Sequence, residues 1–405
     1  MLAPLKPTSE EELAAMIAEA VATGTPLAPF GHATKAGIGH PVNHLPLDLS
    51  GLAGVTLYEP DELILSVKAG TPVETVVALL AEQGQELPFE PTGGTDATGQ
   101  WQGGTIGGLV MSNLSGPRRL KVGAVRDHVL GLKGVSGRAE AFKAGGRVVK
   151  NVTGYDLARG LCGSWGTLAI ATEVTFKILP KAETETTLVI PGLSDAEAVA
   201  LMGTVMQQSF DVASAAHLPA TLPAGPPLAA LPGAARTLLR LEGFAPSVKA
   251  RADGLARFLA RHAGVARVEG AASAALWQWI GRLHATGPAS PALWRVSVPP
   301  ANGAAFVARL NGRLPDIAVA YDWSGGLIWI WTGDDLPDLG AGIIRAAIAA
   351  SGGGHATLAR GPAAKRAVIN VFEPQAPALA ALNARLKAQF DPAGILNPGR
   401  MVRGA

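Results

Sequence analysis

Cysteine is almost absent from this chain, since Cys162 is the only one among 405 residues. A single thiol excludes an internal disulfide, an iron–sulfur cluster held entirely by this chain and a zinc site made of cysteines. The sequence therefore fits a reducing, cytoplasmic setting.

An excess of one charge is also missing. The 34 Lys and Arg residues and the 32 Asp and Glu residues are mixed along the sequence and leave a net charge of +2. No segment has the cluster of Lys and Arg residues that is typical of a nucleic-acid-binding protein, so we expect no nucleic acid partner.

Long apolar runs are lacking as well. The start, Met1–Pro7, has no apolar core of a signal peptide, and later apolar stretches are interrupted by charges, Gly or Pro before they reach membrane-spanning length. We expect at most peripheral association with a membrane.

The composition is that of a globular protein, with 48% hydrophobic and 16% charged residues. The length predicts two domains, because a single core of this size is unusual. The 50 glycines are concentrated between Gly93 and Gly166, which indicates a special use of the backbone there.

Local patterns in the first part predict the order helix, strand, loop, strands, helix. Ser9 and Glu12 form a capping box for a helix that ends at Gly24. A buried strand follows at 26–30 and leads into a glycine-bounded loop at 31–39. Further elements are predicted as strands at 55–58, 63–67, 128–135, 148–150 and 172–178, and as a helix with Thr71 as N-cap and Pro72 in its first turn.

Beyond Pro180–Lys181 the pattern changes to strands alternating with alanine-rich helices, which is typical of an α+β layer sandwich. Strands are predicted at 187–190, 236–241, 293–298, 317–323 and 327–331, with helices from Ser194 and Ser247. A last helix is predicted at 376–390. Six of the tryptophans lie in this half, where core positions are the default interpretation and a partner surface is the alternative.

Two glycine-rich loops are candidates for ligand binding. Glycine lets backbone N–H groups approach phosphate oxygens, so Gly31–Lys35 is either a pyrophosphate loop or a plain surface turn. Gly103–Gly108 is a second loop, in a segment from 93 to 126 that lacks helical periodicity. It is not a dinucleotide fingerprint between a strand and a helix, and the chain has no P-loop motif. Two distant loops favour a large ligand such as a dinucleotide flavin.

An ordered set of motifs resembles the vanillyl-alcohol-oxidase or PCMH-type FAD-binding family. The motifs are the Gly31 loop, Val67–Gly70, Gly104–Gly108, Gly163–Leu168 and Ile395–Gly399. Within that family, Gly116–Arg119, Lys150–Asp156 and Gly354–Leu358 resemble the FAD-binding subunits of bacterial glycolate oxidase. The resemblance covers nearly the whole chain.

The resemblance implies an α+β fold with three parts. A PCMH-type FAD-binding domain of two α+β subdomains spans 1–180, an α+β cap domain spans 181–375, and 376–405 returns to the FAD domain. It also implies FAD as cofactor. The same resemblance implies that the pyrophosphate lies on Gly31, His32, Ala33, Thr34 and Lys35, the flavin and ribityl chain on Gly104, Thr105, Ile106, Gly107, Gly108 and Ser112, and the adenine end along Gly163, Gly166 and Ile170. It also implies that Asn397 in the returning segment binds the cofactor.

The implied activity is oxidation of glycolate or other 2-hydroxy acids to 2-oxo acids. The implied partners are a second FAD-containing catalytic subunit and an iron–sulfur subunit. Paired histidines and a Gly-Asp-Gly-Asn-type stretch, which hold a metal in related dehydrogenases, are absent from the C-terminal half, so we expect no catalytic metal. A self-sufficient dehydrogenase and a flavin-free scaffold subunit are the alternatives.

Three residues are candidates for catalysis. Arg118, in a cluster with Arg119 and Lys121, offers a cation for a reduced flavin or a substrate carboxylate, or forms a solvated turn. Tyr155 is either a flavin neighbour or the start of a helix. His355 opens a predicted strand and is a site residue or a structural one. His32 follows the loop glycine, so either a covalent or a non-covalent flavin contact is conceivable there.

Overall fold

The computed structural model describes residues 3–95, 101–148, 154–223, 225–283 and 287–403. The chain divides into two compact units, each of which is described by itself. The first unit consists of Met1–Ser115, Gly123–Pro180 and Pro374–Ala405, and the second of Gly116–Val122 and Lys181–Glu373.

Helices and strands alternate along both units. The described helices are α1 (Glu10–Thr23), α2 (Val73–Glu82), α3 (Ile106–Ser112), α4 (Arg119–Val122), α5 (Val125–His128), α6 (Leu157–Gly160), α7 (Asp195–Met206), α8 (Ala245–Phe258), α9 (Gly270–Gly281), α10 (Gly303–Ala308), α11 (Ala341–Ala349), α12 (Ala363–Val368) and α13 (Pro377–Phe390). The described strands are β1 (Leu27–Phe30), β2 (Leu45–Asp48), β3 (Val55–Glu59), β4 (Ile64–Lys68), β5 (Gln85–Glu86), β6 (Gly94–Thr95), β7 (Trp101–Gln102), β8 (Val129–Ser136), β9 (Ala141–Gly145), β10 (Ala169–Lys177), β11 (Leu179–Pro180), β12 (Thr184–Pro191), β13 (Ser214–Leu218), β14 (Arg236–Gly243), β15 (Ala266–Glu269), β16 (Ala292–Ser297), β17 (Ala318–Asp322), β18 (Leu327–Thr332) and β19 (His355–Arg360).

The first unit is an α+β structure around a five-stranded antiparallel sheet in the order β3-β4-β10-β8-β9. Strands β1 and β2 pair in parallel outside that sheet. Side chains of the sheet pack with α2 and α3 in one core, whereas α1, β1, β2 and Leu396 share a second. The C-terminal segment is thus part of the first unit's interior.

Helix α1 confirms the predicted N-cap and stop, whereas Glu12 does not complete the predicted capping box, because its carboxylate accepts the Thr8 amide at 2.7 Å and the Thr8 hydroxyl at 2.9 Å. The Ser9 hydroxyl accepts a hydrogen bond from the Glu12 amide at 3.1 Å, and Gly24 ends the helix in the left-handed conformation with φ of 63°. Leu13 and Ile17 lie on the buried face. Capping and periodicity are local signals, which is why the sequence was sufficient here.

The start of α2 differs from the prediction by one residue. Pro72 is its N-cap, whereas the Thr71 hydroxyl accepts the Gly54 amide at 2.9 Å and is therefore not available to cap the helix. Glu74 does not form a capping box and instead accepts the Gly103 amide. The side chains of Thr71 and Glu74, which could have capped α2, instead form hydrogen bonds with residues distant in sequence.

Strand β9 and helix α3 are among the elements that were not predicted. Strand β9 pairs with β8. The strand expected at 148–150 lies largely outside the described residues, and so does the Lys150–Thr153 part of the motif Lys150–Asp156. Helix α3 begins in the glycine-rich segment, where Thr105 caps it by accepting the Gly108 amide at 3.3 Å. This helix was not predicted, because its segment is rich in glycine and glycine is a poor helix former.

The second unit contains an eight-stranded antiparallel sheet in the order β15-β12-β14-β13-β17-β18-β16-β19. Alternate residues of β12 belong to different cores: Leu188 and Ile190 to one, Val189 to the other. Because successive side chains of a strand point to opposite faces, both faces of the sheet are buried. Trp294 and Trp331 are at most 1% exposed, in agreement with the core interpretation of these aromatics.

No helix in the described part of the chain is both long enough and apolar enough to cross a membrane.

Candidate cofactor site

The first unit contains a cleft of about 410 Å³. Its walls come from four parts of the chain that are far apart in sequence: the loop after β1, the start of α3, the turn before β10 and the C-terminal segment. Residues on these walls include Gly31, Thr105, Trp165, Asn397 and Arg400. A cleft of this size is typical of a small-molecule or cofactor site.

Glycine is required where the loop after β1 meets α3. A Cβ atom at Gly31 would lie 2.5 Å from Thr105 Cγ2 and closer still to the hydroxyl oxygen. The same loop passes Gly104, where an added Cβ would stand 2.7 Å from the Thr34 hydroxyl. The two glycine-rich segments predicted as separate loops are therefore in direct contact. Their backbones form a surface that any side chain at Gly31 would disturb.

Helix α3 is held close to the sheet by its own glycine. The Gly107 amide donates to the Ala69 carbonyl at 2.6 Å, and a Cβ at Gly107 would stand 2.9 Å from the Ala69 Cβ. Gly107, Gly108 and Ser112 line the cleft. Small residues on this face of the helix leave room for a flat ligand against the backbone.

The turn before β10 closes another side of the cleft. Trp165 has a φ of 54° and Gly166 a φ of 69°, so two consecutive residues adopt the left-handed conformation. A Cβ at Gly166 would lie 2.9 Å from Pro29 Cγ on β1. The Trp165 amide donates to the Met111 carbonyl at 2.9 Å, which fixes the turn against α3.

The C-terminal segment binds to both the turn and the loop. Asn397 donates through its side chain to the Trp165 carbonyl at 2.8 Å. The backbone N–H of Asn397 donates to the Leu27 carbonyl on β1 at 2.9 Å. Arg400 donates to the carbonyls of Lys35 at 3.2 Å and Ala36 at 3.1 Å. This segment therefore positions walls of the cleft in addition to lining it.

Lys35 brings positive charge to the cleft. Burial lowers the pKa of its ammonium group to about 8, and the carboxylate of Glu74 opposes that shift in part. A partly desolvated ammonium ion favours an anionic ligand such as a phosphate. The loop thus offers one cation together with backbone donors.

Most of the residues predicted to bind FAD lie at this cleft. Those on its walls are Gly31, His32, Ala33, Thr34, Lys35, Thr105, Gly107, Gly108, Ser112, Gly166, Ile170 and Asn397. Gly104, Ile106 and Gly163 are not among them. Ile106 is fully buried in the core, and Gly163 donates its amide to the Val110 carbonyl at 3.1 Å. Trp165 and Arg400 line the cleft but were not singled out, because nothing local in the sequence indicates their long-range contacts.

The three candidate catalytic residues do not line this cleft. Arg118 belongs to the second unit, where its guanidinium lies 2.9 Å from a Glu242 carboxylate oxygen with both side chains at most 10% exposed. Tyr155 is 94% exposed, and the adjacent Asp156 caps α6. His355 begins β19 in the second unit, with much of its surface exposed. Among the described residues, no three His, Cys, Asp or Glu side chains are grouped to hold a metal ion.

Comparison with known proteins agrees with this geometry. Residues 2–145 match the model of a family described as FAD binding domain. The glycolate oxidase subunit GlcE of Escherichia coli K12 is 33% identical over 395 residues, which cover 96% of this chain and 97% of that protein. The glycolate oxidase subunit GlcD of Bacillus subtilis is 34% identical over 164 residues, 40% of this chain and 32% of that protein.

A solved structure of p-cresol methylhydroxylase with substrate bound has a TM-score of 0.69 at 12% identity, covering 98% of this chain and 88% of that one. That likeness confirms the predicted α+β, PCMH-type fold. Gly31 and Gly107 let the walls of the cleft pack closely, since a Cβ at either position would meet Thr105 or Ala69. Backbone donors and the Lys35 cation at these walls fit the pyrophosphate of a flavin nucleotide. The chain belongs to the GlcE family of glycolate oxidase subunits, and it is an FAD-binding flavoprotein of the oxidoreductase class.

Proposed function

We propose that this chain is the FAD-binding subunit of a glycolate oxidase complex that oxidises glycolate and related 2-hydroxy acids to 2-oxo acids. The observation that carries the proposal is the similarity to GlcE over 96% of the chain, together with a cleft whose glycines fit FAD. The partners are a second FAD-containing catalytic subunit and an iron–sulfur subunit. The single cysteine supports this division of labour, because iron–sulfur clusters need several thiolates.

Each group of residues in the cleft or next to it has a proposed role. Gly31–Lys35 hold the pyrophosphate, Gly104–Gly108 and Ser112 lie along the flavin and ribityl chain, and Gly163, Gly166 and Ile170 form the adenine end. Asn397 fixes the Trp165 turn. When bound, FAD would supply either hydride acceptance or electron relay, and these residues would orient it and exclude water. Non-covalent binding at His32 remains our expectation.

Arg118, Tyr155 and His355 remain proposed catalytic residues. The ion pair between Arg118 and Glu242 supports a positioning use of that cation, since a buried pair has a fixed geometry. We propose that no metal takes part. We also propose a cytoplasmic location, with peripheral association at the inner face of the membrane through partner subunits.

The proposal is tested by comparing this chain alone with this chain co-purified with its two partner subunits. We expect FAD in the isolated chain, little glycolate-dependent dye reduction by it, and turnover by the complex. Equal turnover by the isolated chain would favour the self-sufficient dehydrogenase. A complex that is fully active when this chain carries no FAD would favour the scaffold alternative.

The affinity for FAD is expected to fall as the pH rises past 8. Lys35 is charged below its pKa of about 8, and the cation attracts the pyrophosphate, whereas above that pH binding must also recover a proton. If binding keeps Lys35 charged, one linked proton predicts a loss of about tenfold between pH 7 and pH 9. Flavin fluorescence titrations at each pH measure this change.

The matched control is Lys35→Gln, which keeps a polar side chain but cannot titrate. We expect weaker FAD binding by this variant at pH 7 and a nearly flat profile up to pH 9. A profile in the Lys35→Gln chain as steep as that of the unchanged chain would assign the pH dependence to another group.

A further inference from the structure

A small polar cavity lies on the five-stranded sheet of the first unit. Its volume is about 180 Å³, and it shares no lining residue with the cofactor cleft. Leu65 and Val67 of β4 belong to the core with α2 and α3, whereas Ser66 between them lines the cavity. Because successive residues of a strand point to opposite faces, the cavity lies on the face of the sheet away from that core.

Glycines make one wall of this cavity. Gly131 on β8 is directly opposite Gly145 on β9, so neither strand has a side chain at this level of the sheet. The Gly146 amide donates to the Leu130 carbonyl at 3.0 Å, and a Cβ at Gly131 would lie 2.7 Å from the Gly146 carbonyl oxygen. The turn after β9 therefore folds closely over β8 and becomes a wall of the cavity.

Positive charge is in excess among the side chains that line the cavity. Lys133 on β8 lies between Glu173 on β10 and Lys143 on β9, and its ammonium nitrogen is 3.1 Å from a Glu173 carboxylate oxygen. Two lysines directly opposite each other destabilise a sheet by repulsion. Arg147 in the turn adds a third cation. In the described part of the chain neither Lys143 nor Arg147 forms a salt bridge, so one carboxylate faces three cations.

Two buried hydroxyl groups line the same cavity. Ser66 on β4 is opposite Thr175 on β10, and their hydroxyl oxygens are 2.8 Å apart. The two residues are only 3% and 8% exposed. One hydroxyl donates to the other, so the pair retains one O–H that can donate to a ligand. The walls thus offer N–H and O–H donors, which suit the oxygen atoms of an anion.

We propose that this cavity is a binding site for a phosphate group, held by Lys133, Lys143 and Arg147. Three cations and one carboxylate leave two positive charges, which match a phosphate dianion, and a guanidinium group can bind two phosphate oxygens at once. The bound dianion would also relieve the repulsion between the two lysines. A cavity of about 180 Å³ is smaller than the pockets that hold whole cofactors, so the ligand is free phosphate or a small phosphate ester. The site goes beyond the proposed function and does not depend on it.

The test measures phosphate binding by the full chain loaded with FAD, so that the cofactor cleft is filled. Inorganic phosphate is titrated by calorimetry at about pH 8, where it is mainly a dianion, with chloride at equal ionic strength as the comparison. We expect saturable binding of phosphate at one site and none of chloride. A response to phosphate no larger than the response to chloride would refute the site. Phosphate binding that appears only in the chain without FAD would place the ion in the cofactor cleft and would also refute it.

Glycerol phosphate, titrated in the same way, distinguishes the two sources of the phosphate group. Tight binding of inorganic phosphate together with weak binding of the ester would identify the free ion as the ligand. Equal or tighter binding of the ester would identify a small phosphate monoester. Either result supports the site.

Variants locate the phosphate in this cavity. Lys143→Gln and Arg147→Gln are each expected to weaken phosphate binding about tenfold or more, because each removes one charged hydrogen-bond donor. Arg385→Gln, at an exposed position of α13 in the same unit, should leave the affinity unchanged. Two cavity variants are used so that a folding defect in one does not decide the result. Unchanged affinity in both would refute the site.

Thermal unfolding separates ligand binding from a purely structural role of the lysines. Phosphate should raise the unfolding temperature of the unchanged chain, because a ligand that binds the folded state stabilises it. Without phosphate, Lys143→Gln should unfold at no lower temperature than the unchanged chain, since the substitution relieves repulsion from Lys133. A lower unfolding temperature for Lys143→Gln, with no effect of phosphate on the unchanged chain, would assign Lys143 to the stability of the sheet and overturn the proposal.

Discussion

Replacement of Gly31 by alanine is expected to weaken FAD binding by about 100-fold, which corresponds to about 3 kcal/mol. The added Cβ would overlap the side chain of Thr105, whose atoms Cγ2 and Cβ would be 2.5 Å and 3.0 Å away. Thr105 caps α3, so it cannot move without loosening the helix that lines the cleft. Either the loop withdraws from α3 or the helix start shifts, and both change the surface on which the flavin nucleotide lies.

Gly37→Ala is the matched control, because an added Cβ there has no atom within 4 Å. Both substitutions add one methyl group to the same loop, but only the one at Gly31 faces α3. FAD affinity is measured by quenching of flavin fluorescence, and thermal unfolding of the apoprotein separates a folding defect from a binding defect. Equal FAD affinity in the two variants would show that close contact with Thr105 does not matter for the cofactor.

A second substitution, at Thr105, tests whether steric overlap causes the loss of FAD affinity. Thr105→Ala removes the hydroxyl oxygen and Cγ2, the two atoms that would lie closest to the new Cβ, although it also removes the side-chain cap of α3. If steric overlap explains the loss, the double variant Gly31→Ala/Thr105→Ala should bind FAD more tightly than the sum of the two single losses predicts. Non-additive effects are expected for residues in contact. Purely additive losses would indicate that Gly31 acts through its own conformation instead.

The sequence predicted best those elements whose signals are local. Helix α1 follows from the Ser9 cap and Gly24, and the strand predicted at 187–190 lies within β12. Five described strands of the second unit, and the start of a sixth at His355, were placed to within a few residues, because β-rich apolar runs between turns are distinctive, whereas β13 and β15 were not predicted. Local preference and tertiary structure agree in these places.

Prediction failed where long-range contacts decide the structure. The glycines of α3 lower its helix propensity, yet the hydrogen bond from Gly107 to Ala69 and the close packing there hold the helix against β4. Thr71 did not cap α2, because Gly54 donates to its hydroxyl. Such partners are many residues away and leave no periodic pattern.

In the candidate site, too, residues with a local sequence signal were predicted and residues placed by long-range contacts were not. The motifs pointed to Gly31–Lys35 and Thr105 because glycine-rich loops have a recognisable composition, and these residues line the cleft. Arg400 was missed because its partners at Lys35 and Ala36 are more than 360 residues away in sequence.

Replacement of Asp391 by alanine is expected to destabilise the chain by about 3 kcal/mol or more, because the substitution breaks a buried ion pair and leaves its partner groups unsatisfied. Asp391 is 2% exposed and accepts hydrogen bonds from the amides of Ile395 at 3.1 Å and Leu396 at 2.8 Å. It also pairs with Lys387 at 2.5 Å. One carboxylate thus fixes the turn that directs the C-terminal segment to β1.

The loss of stability should be accompanied by weaker FAD binding, since Asn397 and Arg400 follow the same turn and line the cleft. Urea unfolding gives the free energy, and limited proteolysis shows whether the last residues detach before the rest of the unit unfolds. Asp391→Asn, which keeps an acceptor oxygen, should lose less, and Asp61→Ala at an exposed position should change the free energy of unfolding by no more than about 0.5 kcal/mol. If Asp391→Ala costs as little as Asp61→Ala, the segment is held by its other contacts, which include the pairing of Leu27 with Ile395 and Asn397 and the hydrogen bond from Asn397 to Trp165.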